Sequence, residues 1–481
     1  MNLRTVCAIT ARLLFLMGAF QLFPLALAVL DRTAPAVRAY AISAVVCALT
    51  GYVFRLIGRG APTTLHRKDA FGVVTLTWFA ISILGAIPFL VEGSIPNVLS
   101  AIFEAVSGFT TGGGTVIADV DGLSRATNLW RCLMHWIGGM GIVVLFVAVF
   151  PQLGVGAKQL FRAEVAGPIT EGLRPRIKQT ALALWWIYTG LTVTCALLLV
   201  VFGMPPFDAI CHAMSTLSAG GFSTKSASIN AFTSPGIDWT LCVFMLIAGL
   251  NFGLYYGAAR GRWRDLVKNY ELRFYLLVNL VLIAILFFCI RERHPETATA
   301  LRVASFQTTS ILSTTGFAKE DYDLYPNLAR YTLFLAMFMG GCAGSTAGGI
   351  KASRIYVLIV ATLNELRLTI QPNAVIAVRV GTQALQREVL YGVAMFVAAF
   401  FFLFALASLC LVALGLDPFS SMSVTTACIS SVGSGMGTTG PTESLEALHP
   451  LGKLVLILCM IAGRLEIFAL FAVLHPETWR R

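Results

Sequence analysis

Four stretches of the chain share one chemical pattern, a run of small and hydroxyl-bearing residues that closes on glycine. They are Phe103–Thr115, Cys211–Ser223, Phe306–Ala318 and Ser423–Gly435, and they align without gaps. Their shared glycines, Gly113, Gly221, Gly316 and Gly433, stand 108, 95 and 117 residues apart. Glycine accepts backbone angles that turn carbonyl oxygens toward a common point. Oxygens so placed can replace the water shell of a cation without a charged side chain. The residues expected to hold the ion are Thr111, Gly112 and Gly113; Ala219, Gly220 and Gly221; Thr314, Thr315 and Gly316; and Ser431, Val432 and Gly433. Thr110, Ser218, Ser313 and Ser430 beside them are small and can hydrogen-bond the turns. Helix packing would explain one such glycine among 43, but not four at the same place in the same kind of unit.

These stretches are too short to span a bilayer and too apolar for open loops, so they read as re-entrant helices. Irregular backbone at membrane depth is tolerated only where it is buried or lines a wet cavity. A re-entrant helix also aims its negative C-terminal end inward, which favours a cation. Ten long apolar segments surround them, first 5–30 and 36–57. Four pairs follow: 71–91 with 128–150, 180–203 with 237–258, 271–290 with 329–364, and 388–415 with 450–474. Each is near the length needed to cross the hydrocarbon core. Repeats at this spacing suggest copies arranged around an axis. The predicted fold is an all-α polytopic membrane protein, with two N-terminal helices and four helix–pore helix–helix repeats around one central pore. The boundaries are 1–66 for the N-terminal pair, 67–155 for repeat 1, 156–179 for a cytoplasmic linker, 180–262 for repeat 2, 263–370 for repeat 3 and 371–481 for repeat 4.

Composition agrees. The chain has 481 residues, 57% hydrophobic and only 12% charged, against about a quarter charged in soluble domains. The net charge of +11 does not point to nucleic acid, because Lys and Arg sit mostly in short loops between apolar runs. Arg55, Arg59 and Lys68, then Lys158 and Arg162, then Arg260, Arg262 and Lys268, then Arg367 and Arg387 fall on one side, the cytoplasm. Both termini then lie there too. The opposite loops carry acids such as Asp119, Asp121, Asp238, Glu320 and Asp323. Arg4 and Arg12 followed by an apolar run mimic a signal peptide, but the run from Val6 to Leu30 is long enough to be a retained helix. The 11 cysteines have no metal-site spacing, and His135 and His212 read as packing residues.

One spanning segment is interrupted. Gly340, Gly341, Gly344, Gly348 and Gly349, with Ser345 among them, predict a break, since each Gly costs roughly 1 kcal/mol against Ala in a helix. The freed backbone needs water or protein partners, so this loop should border the pathway and is a candidate gate. It lacks the nucleotide-loop pattern. Arg464 sits mid-membrane in the last segment, where a charge is costly. Either it bars cations in the permeation path, or it is neutralised by Glu466 or a neighbouring helix. Lys351 either fixes the loop or snorkels to the interface. Glu104 either draws cations at the pore mouth or makes a helix-surface hydrogen bond.

The sequence resembles the Trk/Ktr/HKT potassium transporter superfamily, in its TrkH/TrkG branch, over nearly its whole length. The resemblance rests on Trp130-Arg131 with Trp136–Leu145 (WIGGMGIVVL), Pro151–Pro168 followed by Pro175-Arg176-Ile177, Phe207–Thr224, Gly340–Lys351 (GGCAGSTAGGIK) and Gly463–Phe468 (GRLEIF). The two extra N-terminal helices fit this branch. The resemblance implies a K⁺-conducting subunit of the bacterial inner membrane, a selectivity filter of backbone carbonyls at the four glycines, and gating by the Gly-rich loop and Arg464. It also implies a homodimer with one pore per subunit and a separate cytosolic TrkA-type nucleotide-binding partner. Relatives with Ser at the first filter position favour Na⁺, so Gly113 argues for K⁺. The first turn departs from the usual Thr-Thr-Gly-Ala by reading Thr111-Gly112-Gly113-Gly114, which keeps a Na⁺ or mixed Na⁺/K⁺ conductor as the rival. K⁺ is cargo, no organic cofactor is implied, and no catalytic cluster suggests an enzyme.

Overall fold

A computed structural model describes residues 1–62, 67–148, 173–373, 379–380 and 383–479. Most of the expected linker, including Lys158 and Arg162, lies outside the described residues, as do Arg480 and Arg481. Among the described residues the regular structure is helical apart from a two-residue antiparallel pairing, Arg379–Val380 with Gln383–Ala384, which the all-α expectation lacked.

Among the described residues, six helical stretches are long and apolar enough to cross a membrane: Leu3–Leu30, Ala34–Ile57, Lys68–Glu92, Gln179–Val201, Tyr270–Arg293 and Arg387–Ala413. They are the N-terminal pair and the first helix of each repeat. Their outer faces stay apolar and uncovered, with Phe402 68% and Leu280 66% exposed. Apolar surface on that scale requires a non-aqueous surrounding, so this is a multi-pass membrane protein.

Two of the second helices differ from the sequence reading. The stretch expected to run unbroken over 237–258 bends by 92° between Pro235–Ala248 and Phe252–Ala259. The last, expected over 450–474, stops at Arg464 and resumes at Phe468. The third breaks between Asn327–Met339 and Ala352–Ile370, as its glycines predicted. The break after Ala248 is stabilised from outside, since the carbonyls of Ala248 and Gly249 accept from the loop at Thr346 and Cys342 (3.4 and 2.7 Å).

Between the helices of each pair lies a short one: Val98–Phe109, Pro206–Leu217, Thr297–Leu312 and Pro418–Ser430. Local sequence starts three of them. Asn97 Oδ1 accepts the N–H of Leu99 and Ser100 (2.9 and 3.1 Å), Pro206 stands in the first turn, and Asp417 caps Ser420 (2.9 Å) ahead of Pro418. Their C-terminal halves are buried although rich in hydroxyls, the reverse of the lipid-facing helices. The polar interior and apolar exterior together aim these helices at a shared centre.

Candidate pore and its intramembrane loop

Each short helix ends in the same way. The N–H groups of Gly112, Gly220, Thr315 and Val432 reach back to the carbonyls of Ser107, Ser215, Ser310 and Ala427 at 2.7, 2.9, 2.9 and 2.8 Å. This bond from the second residue past the helix closes a Schellman cap. The residue before it is left-handed in all four: Thr111, Ala219, Thr314 and Ser431 have φ of 53°, 55°, 57° and 59°. Non-glycine residues held there are strained by about 1 kcal/mol or more. Gly113, Gly221, Gly316 and Gly433 follow, again at positive φ (75°, 80–81° and 105°).

The turns touch one another in cyclic order. A β-carbon built on Gly113 would lie 2.4 Å from the carbonyl oxygen of Gly220, on Gly221 2.0 Å from that of Thr315, and on Gly316 1.8 Å from that of Val432. One on Gly433 would lie 3.2 Å from the carbonyl oxygen of Gly112. Turn one meets two, two meets three, three meets four, and four meets one. The structure thus brings together the residues that the sequence singled out. Oxygens remain uncommitted beside them: the hydroxyls of Thr111 and Ser431 have no hydrogen-bond partner among the described residues. Among the described residues no His, Cys, Asp or Glu cluster suits a metal ion. Neutral oxygens of this kind suit an alkali cation as cargo.

The strands leaving the turns are braced from behind. Glu104 is buried, not at the mouth, and accepts from Arg131 Nε (2.8 Å), Thr115 Oγ1 (3.0 Å) and Val116 N–H (3.0 Å). At the same register His212 Nε2 meets Ser223 Oγ (2.9 Å), and Gln307 Oε1 accepts from Lys319 N–H (3.3 Å). The fourth repeat has Val424 instead, and Tyr322 donates to the carbonyls of Ser434 and Gly435 (3.3 and 3.0 Å). Nearby, on the outer turn, Asp323 accepts from Gly437 N–H (2.9 Å); burial pushes its carboxyl pKa up, opposed by that bond and by Arg330. Asp238, read from sequence as an outer-loop acid, is buried and paired with Lys319 (3.0 Å) and Arg302 (3.3 Å).

The loop between Met339 and Ala352 docks beneath the third and fourth turns. Gly348 N–H donates to Thr314 Oγ1 (2.7 Å), and a β-carbon on Gly348 would press to 2.0 Å from the Ser430 carbonyl oxygen. Gly340, Gly344 and Gly349 take φ of 71°, 73° and 75°, while Gly341 packs on the Gly249 carbonyl. Ser345 Oγ donates within the loop to the Cys342 carbonyl (2.5 Å).

Side chains from elsewhere suspend this loop. Glu271 Oε1 accepts from Ala343 N–H (2.7 Å) and Ser353 N–H (3.1 Å). Arg464, 3% exposed, donates to the Thr346 carbonyl (2.9 Å) and the Gly138 carbonyl (3.0 Å). It does not pair with Glu466, which instead binds Arg354 (2.5 Å). Lys351 is buried and donates to the Ala347 carbonyl, so it fixes the loop and does not snorkel. Sequence reasoning missed Glu271 and Arg354; an acid and a base inside apolar helices were the available signals.

The chain resembles known proteins along its whole length. Residues 38–478 match the TrkH family model, described as cation transport protein. The Trk system potassium uptake protein TrkH of Salmonella typhimurium is 37% identical, with both chains fully covered. TrkG of Escherichia coli is 35% identical over 90% of this chain and 91% of its own. The crystal structure of the potassium transporter TrkH from Vibrio parahaemolyticus superposes with a TM-score of 0.90 at 35% identity, covering all of both chains.

Proposed function

The chain belongs to the TrkH family of cation transport proteins, and from that premise we propose that it is the ion-translocating subunit of a bacterial potassium uptake system. The observation that carries this reading is the closed cycle of four turns, each leaning on the next one's carbonyl. K⁺ enters from the outer side and exchanges its water for carbonyl oxygens at Thr111–Gly113, Ala219–Gly221, Thr314–Gly316 and Ser431–Gly433. The short-helix C-termini supply a negative potential without a fixed charge. Four Schellman caps preset the oxygens, so little reorganisation accompanies binding.

Below the turns the Gly340–Gly349 loop closes the path, with Arg464 and Lys351 holding its carbonyls. Arg464 thus acts twice, as a peg for the loop and as a positive barrier. Inward flow is driven by the membrane potential, about 2.3 kcal/mol per charge per 100 mV. The reading places the chain in the inner membrane with both termini cytoplasmic, as a homodimer acting with a TrkA-type nucleotide-binding subunit. It keeps the boundaries 1–66, 67–155, 156–179, 180–262, 263–370 and 371–481, and requires no organic cofactor and no enzymatic step.

A second reading, a Na⁺ or mixed conductor, is favoured by the three consecutive glycines Gly112–Gly114 of the first turn. Uptake of ⁸⁶Rb⁺ by K⁺-starved cells separates the two. Competition by K⁺ but not by excess Na⁺ is expected; equal competition would overturn K⁺ selectivity.

A further inference from the structure

The second helix of one repeat passes behind the turn of the next, and a single register position does the backing. Gly138 and Gly463 mark equivalent points, because a β-carbon on either would lie 1.9 Å from a short-helix carbonyl oxygen, that of Phe109 or of Ile429. Three residues earlier stand His135 and Met460. Met460 lies behind the first turn, its Sδ 2.9 Å from a β-carbon on Gly112. His135 lies behind the second, its Nδ1 2.3 Å from a β-carbon on Gly220. The same register in the other two repeats holds Met245 and Met337, both buried. Methionine is a pliant apolar filler and a weak acceptor. Histidine is neither.

His135 is fully buried and grips the second turn by several contacts. Its Nδ1 is 3.1 Å from Ser215 Oγ and 3.4 Å from Phe222 N. A backbone N–H only donates, so Nδ1 is the acceptor in the Phe222 contact. The imidazole stacks on the Phe222 ring at 3.9 Å and 16°. Arg131, one helical turn earlier, sets its guanidinium 4.2 Å from the centre of that same ring and donates to the Ser223 carbonyl (3.1 Å). Residues four apart on a helix share a face. Arg131 and His135 together therefore hold the strand that leaves the second turn. The Gly220 carbonyl is the one that meets Gly113 in the ring.

We propose that His135 is a positioning residue for ion selection, fixing the Gly220–Phe222 backbone so that the second turn is the reference against which the triple-glycine first turn is set. This inference rests on the reading of the four turns as the ion path. A structural filler would tolerate methionine, the residue at the equivalent positions; a positioning acceptor would not. Asparagine places an amide oxygen near the site of Nδ1, and glutamine places one near Nε2.

The test is ⁸⁶Rb⁺ uptake with Na⁺ competition by the full-length protein in K⁺-starved cells. His135→Met should let Na⁺ compete roughly tenfold better, the effect of about one hydrogen bond, and raise KM while leaving Vmax near the parent's. His135→Asn should recover most of the discrimination. Parent-like discrimination in His135→Met, or no recovery in His135→Asn, overturns the proposal. If His135→Met fails to accumulate in the membrane, His135→Gln decides against His135→Asn: discrimination lower with Gln supports the role, and equal discrimination overturns it. A parent chain that does not distinguish K⁺ from Na⁺ sinks the selective-uptake reading itself, and this inference with it.

Discussion

The four glycine turns and the intramembrane loop are both rich in glycine and in positive φ, yet they are held in different ways. Each turn is closed by its own helix through a bond five residues back, and its strain is locked by neighbours on both sides. The loop from Gly340 to Lys351 has backbone bonds at its ends, from Ile350 and Lys351 N–H to the Phe338 and Met339 carbonyls, and its middle leans on distant parts of the chain: the Ala248 and Gly249 carbonyls and the side chains of Glu271, Thr314 and Arg464. A turn built on local backbone bonds has no cheap alternative and stays set. A segment whose middle is held by single bonds to distant residues can be released there one bond at a time. The same residue type thus gives a locally locked turn in one place and a remotely held loop in the other, the difference the proposed selector and gate would need.

The largest effect should come from breaking the rigid side. Gly316→Ala forces a methyl to 1.8 Å from the Val432 carbonyl oxygen at a φ of 80°, so ⁸⁶Rb⁺ uptake should fall more than about a hundredfold, the size of a strain of several kcal/mol. Retained uptake in well-expressed protein would mean the turns are not the path. Next comes the loop's peg. Arg464→Ala removes two donors and a buried charge, and flux without the regulatory subunit should rise about tenfold, as for one or two lost hydrogen bonds; unchanged or lower flux would count against the barrier. Glu271→Gln keeps an acceptor oxygen but loses the charge, so a leak a few-fold above the parent is expected. A leak as large as that of Arg464→Ala would make Glu271 the chief anchor. Gly344→Ala should change least, less than about fivefold: its φ of 73° adds about 1 kcal/mol of strain, but the nearest neighbour of its β-carbon is the Asn251 side chain, at 3.0 Å, and not a filter carbonyl. If Gly344→Ala matched Gly316→Ala, the contrast between the two regions would be wrong.

The sequence made the rigid half legible and the movable half only in outline. Schellman turns are local, so residues 107–113 and their three counterparts carry their own instructions, and gapless alignment exposes them. The five loop glycines announced a break for the same reason. What suspends the loop joins residues far apart in the chain, Glu271 to Ala343 and Arg464 to Thr346, and no periodicity encodes such pairs. Glu466 stands two residues from Arg464 in the sequence, but in space Glu466 pairs with Arg354. The 92° bend after Ala248 was invisible because the loop that stabilises it lies about a hundred residues downstream.

The order in which the turns touch has a bearing on biogenesis. Three of the contacts join repeats made one after another, so each can form as the next pair of helices leaves the ribosome. The contact between Gly433 and the first turn joins the two ends of the series and must wait for the last repeat. A half-made chain therefore lacks the complete ring of turns, and closure of that ring is the last contact of the series to form.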